Sequence, residues 1–186
     1  MPAETTPSPD PSLLKLVAEQ AARVAAAGPQ AGRRWLLVDL VGQRLALVEI
    51  GRVTGVWAVS TAAAGPDNRE DSGGTPTGLH RVGRRIGLDA PAGTVFVGRE
   101  PTGERWRGEA DDRDLILTRI ITLEGLEDGV NRGPGVDTVR RYIYIHGTNQ
   151  EGRLGEAVSH GCVRMANRDV VELADRVGEG DPVVIV

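Results

Sequence analysis

Glycine and proline punctuation constrains this chain more than any other feature. The 186 residues include 25 glycines and 11 prolines, and beyond Arg34 these cut the apolar residues into runs long enough for strands but mostly too short for helices. Trp35 to Leu40, Gln43 to Ile50 and Arg52 to Ser60 have an apolar period of two, separated by Val41-Gly42 and Gly51, and are expected to form a β-meander. Thr94 to Arg99, Leu115 to Ile121, Val139 to His146 and Pro182 to Val186 add further short strands. Many short strands joined by glycine turns predict a mainly β fold, a sandwich or a barrel.

Two segments carry helical spacing instead. From Ser12, taken as the N-cap, Leu13, Leu16, Val17, Ala21 and Val24 recur on one face until Gly28-Pro29. The second begins at Asn167 as N-cap, runs through Val170, Val171, Leu173, Ala174 and Val177, and stops at Gly178. Residues 1–10 are rich in Pro, Ser and Thr with little apolar content, which predicts a disordered tail. The expected organisation is therefore that tail, an amphipathic helix over 11–28 packed on the domain, and a single domain over 33–186.

Composition excludes several classes of function. The formal charge is −4 and the basic residues, 21 Arg and the single Lys15, are scattered, so no nucleic-acid footprint is visible. No apolar run reaches the length of a membrane span. One cysteine, Cys162, permits no internal disulfide, leaving it as a packing residue, a metal ligand or a nucleophile. The first 14 residues contain no Lys or Arg and are broken by prolines, unlike a secretory signal, so a cytoplasmic location is expected.

The chemistry-bearing residues cluster. Of three histidines, His146 and His160 lie within 16 residues of Cys162. Strand alternation from Arg140 to His146 is expected to put Arg140, Tyr142, Tyr144 and His146 on a cleft-facing side and Ile143 and Ile145 in the core. Cys162 lies in Ser159-His160-Gly161-Cys162-Val163-Arg164-Met165, between a glycine loop and a helix. A thiol near a helix N-terminus and a histidine is expected to have a lowered pKa, as a nucleophile requires, and backbone N–H groups around it could hold an oxyanion. His160 reads equally as a loop-holding residue or as a participant in the chemistry; His80 reads as a surface residue. Residues 139–168 carry a charge of +3, which suits an anionic substrate.

The sequence resembles the L,D-transpeptidase catalytic domain family of the YkuD type. The likeness rests on Ile145-His146-Gly147-Thr148 followed by Ser159-His160-Gly161-Cys162-Val163-Arg164-Met165, with Gly74-Thr75-Pro76-Thr77-Gly78 upstream, and spans roughly residues 34–186. It implies a YkuD-like β-sandwich and a cysteine acyl-enzyme formed on peptidoglycan tetrapeptides at the L-centre of the diamino acid, with release of the terminal D-Ala. It also implies that Cys162 is the nucleophile, His146 its base and the Gly147 carbonyl the group orienting His146. Ser159, His160 and Gly161 would shape the loop, and Arg164, with Tyr144 on the cleft side, would face substrate. No cofactor and no metal are implied. The expected partners are a muropeptide substrate and water or a D-amino acid as acceptor.

In the cytoplasm this becomes L,D-carboxypeptidase or exchange activity on soluble tetrapeptides, as in peptidoglycan recycling. The alternatives are an exported transpeptidase making 3-3 murein cross-links, or a zinc hydrolase built on His146, His160 and Cys162. The acidic residues Glu109, Asp111, Asp112 and Asp114 read as a solvated loop rather than a calcium site.

Overall fold

A computed structural model describes residues 9–28 and 33–186. Helix α1 (Pro11–Ala25) has its N-cap at Asp10, two residues before the expected Ser12. Asp10, in extended backbone, accepts from the Leu13 N–H at 2.9 Å, and Pro11 occupies the first turn, where its fixed φ and missing N–H cost nothing. Ser12, expected as the cap, instead donates its hydroxyl to Asp10 at 2.6 Å. Asp10 also pairs with Arg44, so it is a working cap and not part of a tail; residues 1–8 of the expected disordered tail lie outside the described residues. Leu13, Val17 and Val24 are the buried stripe of α1, and Leu13→Ala is expected to cost about 2–5 kcal/mol.

The meander forms as expected: β1 (Arg34–Asp39), β2 (Arg44–Glu49) and β3 (Arg52–Ala58) pair antiparallel. Strand β10 (Pro182–Ile185) lies parallel to β1 and antiparallel to β4 (Gly78–Ile86), and β4 pairs with the long β7 (Ile116–Gly125). The other side of β7 carries β8 (Tyr144–Gly147), and β8 pairs in parallel with β9 (Val163–Met165). A hairpin of β5 (Thr94–Val97) and β6 (Glu100–Arg105) extends from the other end of β7.

The two wings of this sheet face each other and meet at a seam. Ser60, just beyond β3, exchanges both backbone hydrogen bonds with Arg164 of β9, at 3.0 and 2.9 Å. Leu36, Val38, Leu45, Leu47 and Trp57 thereby pack against Ile121, Leu123, Ile145, Val163 and Met165, together with Val170, Leu173 and Ala174 of α2 (Asn167–Arg176). On the outside, α1 covers Trp35, Leu37, Ala46, Val48 and Val184. The central strands are thus buried on both faces, so Trp35 to Val38 is a continuous apolar run and not the period of two expected of it.

Three expectations are corrected. The strand predicted over Val139 to His146 begins only at Tyr144, because Asp137 captures the following backbone: its carboxylate accepts from Arg140 N–H and its carbonyl from Arg141 N–H, both at 3.0 Å. Arg140 and Tyr142 therefore lie in turns, and only Tyr144 and His146 share a strand face. In α2 the N-cap is Ala166, and Asn167 is the first helical residue; its N–H is satisfied by Glu151 Oε1 at 2.7 Å, so a remote carboxylate does the capping. Strands β4 and β6 were not foreseen, since the arginines of β4 and the fully exposed residues of β6, with Pro101 and Gly103, mask any apolar period.

Candidate active site

The parallel β8–β9 ladder brings the chemistry together. Its register pairs Ile145 with Val163 and His146 with Arg164, so Cys162 falls beside Tyr144 at the ladder's start. Alternation then sends Ile145 and Val163 into the inner core while Tyr144, His146, Cys162 and Arg164 share the opposite face. The Cys162 thiol rests against two backbone groups: the Tyr144 N–H donates to Sγ at 3.3 Å, and the S–H donates to the Tyr142 carbonyl at 3.4 Å. Tyr144 is itself buried beside Phe96 and Ile120, with Cys162 packed on the same cluster.

His146 is buried and its Nδ1 lies 2.7 Å from the Gly147 carbonyl. A carbonyl only accepts, so Nδ1 carries the proton and Nε2 presents a lone pair. Gly147 has a second role that the sequence did not reveal. A Cβ there would sit 2.5 Å from Asn167 Oδ1 and 2.7 Å from the Leu117 carbonyl, so no side chain fits.

Protonation departs from the expected thiolate. Burial pushes the Cys162 thiol up to about 11, with Asp114 adding to the rise, against the Tyr144 N–H, Arg164 and Arg141, which favour the thiolate. Burial likewise lowers His146 to about 4, partly countered by the Gly147 carbonyl and Asp114. The resting pair is a neutral thiol and a neutral imidazole. The α2 N-terminus does not reverse this, because it begins five residues beyond the thiol and is already capped by Glu151.

The loop before Cys162 is held from within. Ser159, buried, donates its hydroxyl to the Cys162 carbonyl at 2.6 Å and accepts from the Gly161 N–H at 3.2 Å. That Gly161 amide is therefore not a free oxyanion donor. Gly161 has φ +130°, and a Cβ would come within 2.9 Å of Ile143 and 3.1 Å of the Gly74 carbonyl. Thr75, fully buried, donates to the Gly161 carbonyl at 2.9 Å and accepts from the Ala62 N–H at 3.0 Å. The Gly74-to-Gly78 turn is thus a brace for the nucleophile's loop.

Residues 33–185 match the L,D-transpeptidase catalytic domain family YkuD. The chain belongs to that family. Its catalytic domain is similar to "Putative L,D-transpeptidase YkuD" of Bacillus subtilis, 40% identical over 77 residues, which make up 38% of this chain and 47% of the relative. It is also similar to "Probable L,D-transpeptidase YbiS" of Escherichia coli, 31% identical over 109 residues, 55% of this chain and 35% of that one. Among solved structures, L,D-transpeptidase 3 from Mycobacterium tuberculosis with a faropenem-derived adduct superposes with a TM-score of 0.51 at 17% identity, covering 82% of this chain and 59% of that one. The matches span less than half the length of those two sequence relatives, and the structural likeness speaks for the mainly β fold alone.

The remaining residues of the L,D-transpeptidase motif sit in places the sequence did not show. Arg164 is 2% exposed, and its guanidinium donates to Asp114 Oδ2 at 2.5 Å and Gln150 Oε1 at 3.0 Å. Its charge is directed to Asp114 rather than out of the fold. His160 extends outward, its side chain 84% exposed, with Nδ1 3.1 Å from the same Asp114 oxygen. Asp114 thus joins the two, and the sequence had placed it only among solvated acids.

His80, expected on the surface, is fully buried in β4 between the Gly78 carbonyl and Thr138 Oγ1, each at 3.1 Å. Among the described residues no three His, Cys, Asp or Glu side chains form a metal-holding group. His146 and His160 bond to different partners, so the zinc arrangement with Cys162 is not assembled. No described helix is long and apolar enough to cross a membrane.

Proposed function

We propose that this domain carries out cysteine-dependent acyl transfer on peptidoglycan stem peptides. One observation carries the reading: the Gly147 carbonyl fixes the His146 proton on Nδ1, leaving a basic Nε2 on the face that also bears the Cys162 thiol. As Sγ attacks the carbonyl at the L-centre of the diamino acid, Nε2 takes the thiol proton, and the thiolate forms only as it is consumed. The tetrahedral adduct collapses with breakage of the C–N bond to the terminal D-Ala, whose amine receives the proton from the imidazolium. The resulting thioester is then attacked by an acceptor, which gives its proton to His146 and returns the thiol.

The finer proposal is that the donor is a soluble muropeptide tetrapeptide and the acceptor water or a D-amino acid, an L,D-carboxypeptidase or exchange reaction suited to recycling in the cytoplasm. Chromatography of products from free disaccharide tetrapeptide and from intact sacculi tests it. Tripeptide and D-Ala from the free fragment are expected. Dimers cross-linked between diamino acids as the main product would replace this with an exported 3-3 transpeptidase, and no D-Ala release from either would overturn acyl transfer itself. A penem or carbapenem is expected to add its mass to Cys162 by ring-opening acylation, read by intact-mass spectrometry.

A further inference from the structure

Arg99 has no counter-charge among the described residues and stands on the two residues that hold the nucleophile. Gly98 and Arg99, with φ of +58° and +74°, form the two-residue tip of the β5–β6 hairpin, bounded by the Val97–Glu100 pair. From there the guanidinium lies 4.9 Å from the Tyr142 ring centre and 5.4 Å from that of Tyr144, whose rings meet edge to face. Its Nε–H donates to Tyr144 Oη at 2.7 Å and its Nη2 to the Val139 carbonyl at 2.9 Å. All of these partners are neutral. Among the described residues no carboxylate pairs with Arg99, and its Nη1 has no hydrogen-bond partner.

The same two tyrosines contact Cys162 through their backbones, Tyr144 by its N–H and Tyr142 by its carbonyl. Tyr142 adopts φ +56° and is 58% exposed. An aromatic residue is rare in that conformation, which marks the backbone there as held by its surroundings. Here the unusual conformation turns the carbonyl toward the thiol and leaves the ring under a guanidinium. Stacking orients the planar cation and strips water from one side of it, which strengthens pairing with an arriving anion.

We propose that Arg99 is a specificity-determining residue that recognises a free carboxylate on the acyl donor, close to the carbonyl attacked by Cys162, so that acid forms of the donor are preferred over amide forms. This deepens the acyl-transfer reading and rests on it for the identity of the donor. The guanidinium groups that act on Cys162 are already committed: Arg164 to Asp114 and Gln150, and Arg141 to the carbonyls of Asp67 and Gly74 and to Ser72 Oγ, stapling the turn that braces the Cys162 loop.

The test uses two readouts on wild type, Arg99→Gln and Arg99→Lys. The first compares thiol–disulfide exchange of Cys162 with the dianionic 5,5′-dithiobis(2-nitrobenzoate) and the uncharged 4,4′-dithiodipyridine. Arg99→Gln should lower the anionic-to-neutral rate ratio by about tenfold, the size of one charge-assisted hydrogen bond, and Arg99→Lys should restore part of it. The second compares D-Ala release from two tetrapeptides that differ only in a carboxylate or primary amide beside the scissile carbonyl; the acid preference should fall by the same order. Unchanged ratios in both readouts would reduce Arg99 to a brace of the hairpin and overturn the proposal. Should both Arg99 variants fail to fold, Tyr142→Leu serves instead, and an unchanged exchange ratio there is equally fatal. If wild type turns over neither peptide, acyl transfer fails, while the exchange ratio still decides the role of Arg99.

Discussion

His80 and His146 differ in what their burial is for. Both are buried, and burial lowers both to about 4. His80 has each ring nitrogen occupied, by the Gly78 carbonyl and by Thr138, whereas His146 is bonded only at Nδ1 among the described residues. One ring is a structural tie between β4 and the segment that leads into β8; the other keeps its second nitrogen for chemistry, on the strand face that also bears the Cys162 thiol. Burial and a shifted pKa therefore do not by themselves mark a reactive histidine. The free second nitrogen does.

The sharpest way to break this contrast is to remove the reactive pair. Cys162→Ala should abolish D-Ala release with the fold retained by circular dichroism, and His146→Ala should slow it by about 10²–10⁴-fold. His80→Gln should instead lower the melting temperature and leave release largely intact. Equal losses of activity for the two histidines would dissolve the distinction.

Next in size is the pH dependence of stability. Each ring remains neutral in the native state down to about 4, while the unfolded chain takes up its proton near 6.5. Stability should therefore be full above pH 6.5 and fall as pH drops toward 4, on the order of 3 kcal/mol per ring. Urea titrations at pH 7 and pH 4.5 measure the difference. His80→Gln should flatten this slope, and an unaltered slope would mean that His80 is accessible to protons in the folded state.

The thiol offers a kinetic version of the comparison. Because burial raises Cys162 to about 11, alkylation by iodoacetamide should climb by about tenfold per pH unit from neutral pH upward. A plateau beginning near pH 7 would show a preformed thiolate–imidazolium pair and overturn the neutral resting state. Smaller effects belong to the surroundings. Thr75→Val, which loses the bonds to Gly161 and Ala62, should cost about 1–3 kcal/mol in denaturant titration. His160→Ala, which loses an exposed pairing with Asp114, should cost no more than about 1 kcal/mol.

The sequence made the meander, both helices and the Cys162–His146 constellation legible, because apolar period and local motif report on what lies on one strand or one helix. It was blind where a distant partner decides. Asp137 delays the start of the expected strand by taking its neighbours' N–H groups, and Glu151 relieves Asn167 of capping. The thiol's pKa depends on burial, which no local motif states, and Arg164 reads as substrate-facing until Asp114, fifty residues earlier in the chain, is placed against it. Arg99 carried no signal at all, since only the hairpin's geometry delivers it to Tyr142 and Tyr144.

The Ser60–Arg164 seam bears on how the molecule is made. It joins residues 104 positions apart, and β1 lies beside β10, so the two ends of the domain must find each other before the sheet can close. Contacts of such separation form late and slowly, because the chain between them must first give up its freedom. The strand that follows the nucleophile is one lip of that seam. A chain still emerging from synthesis, or one clipped near either end of the domain, therefore holds Cys162 outside its proper setting, and assembly of the reactive site becomes a checkpoint on completion of the whole ring.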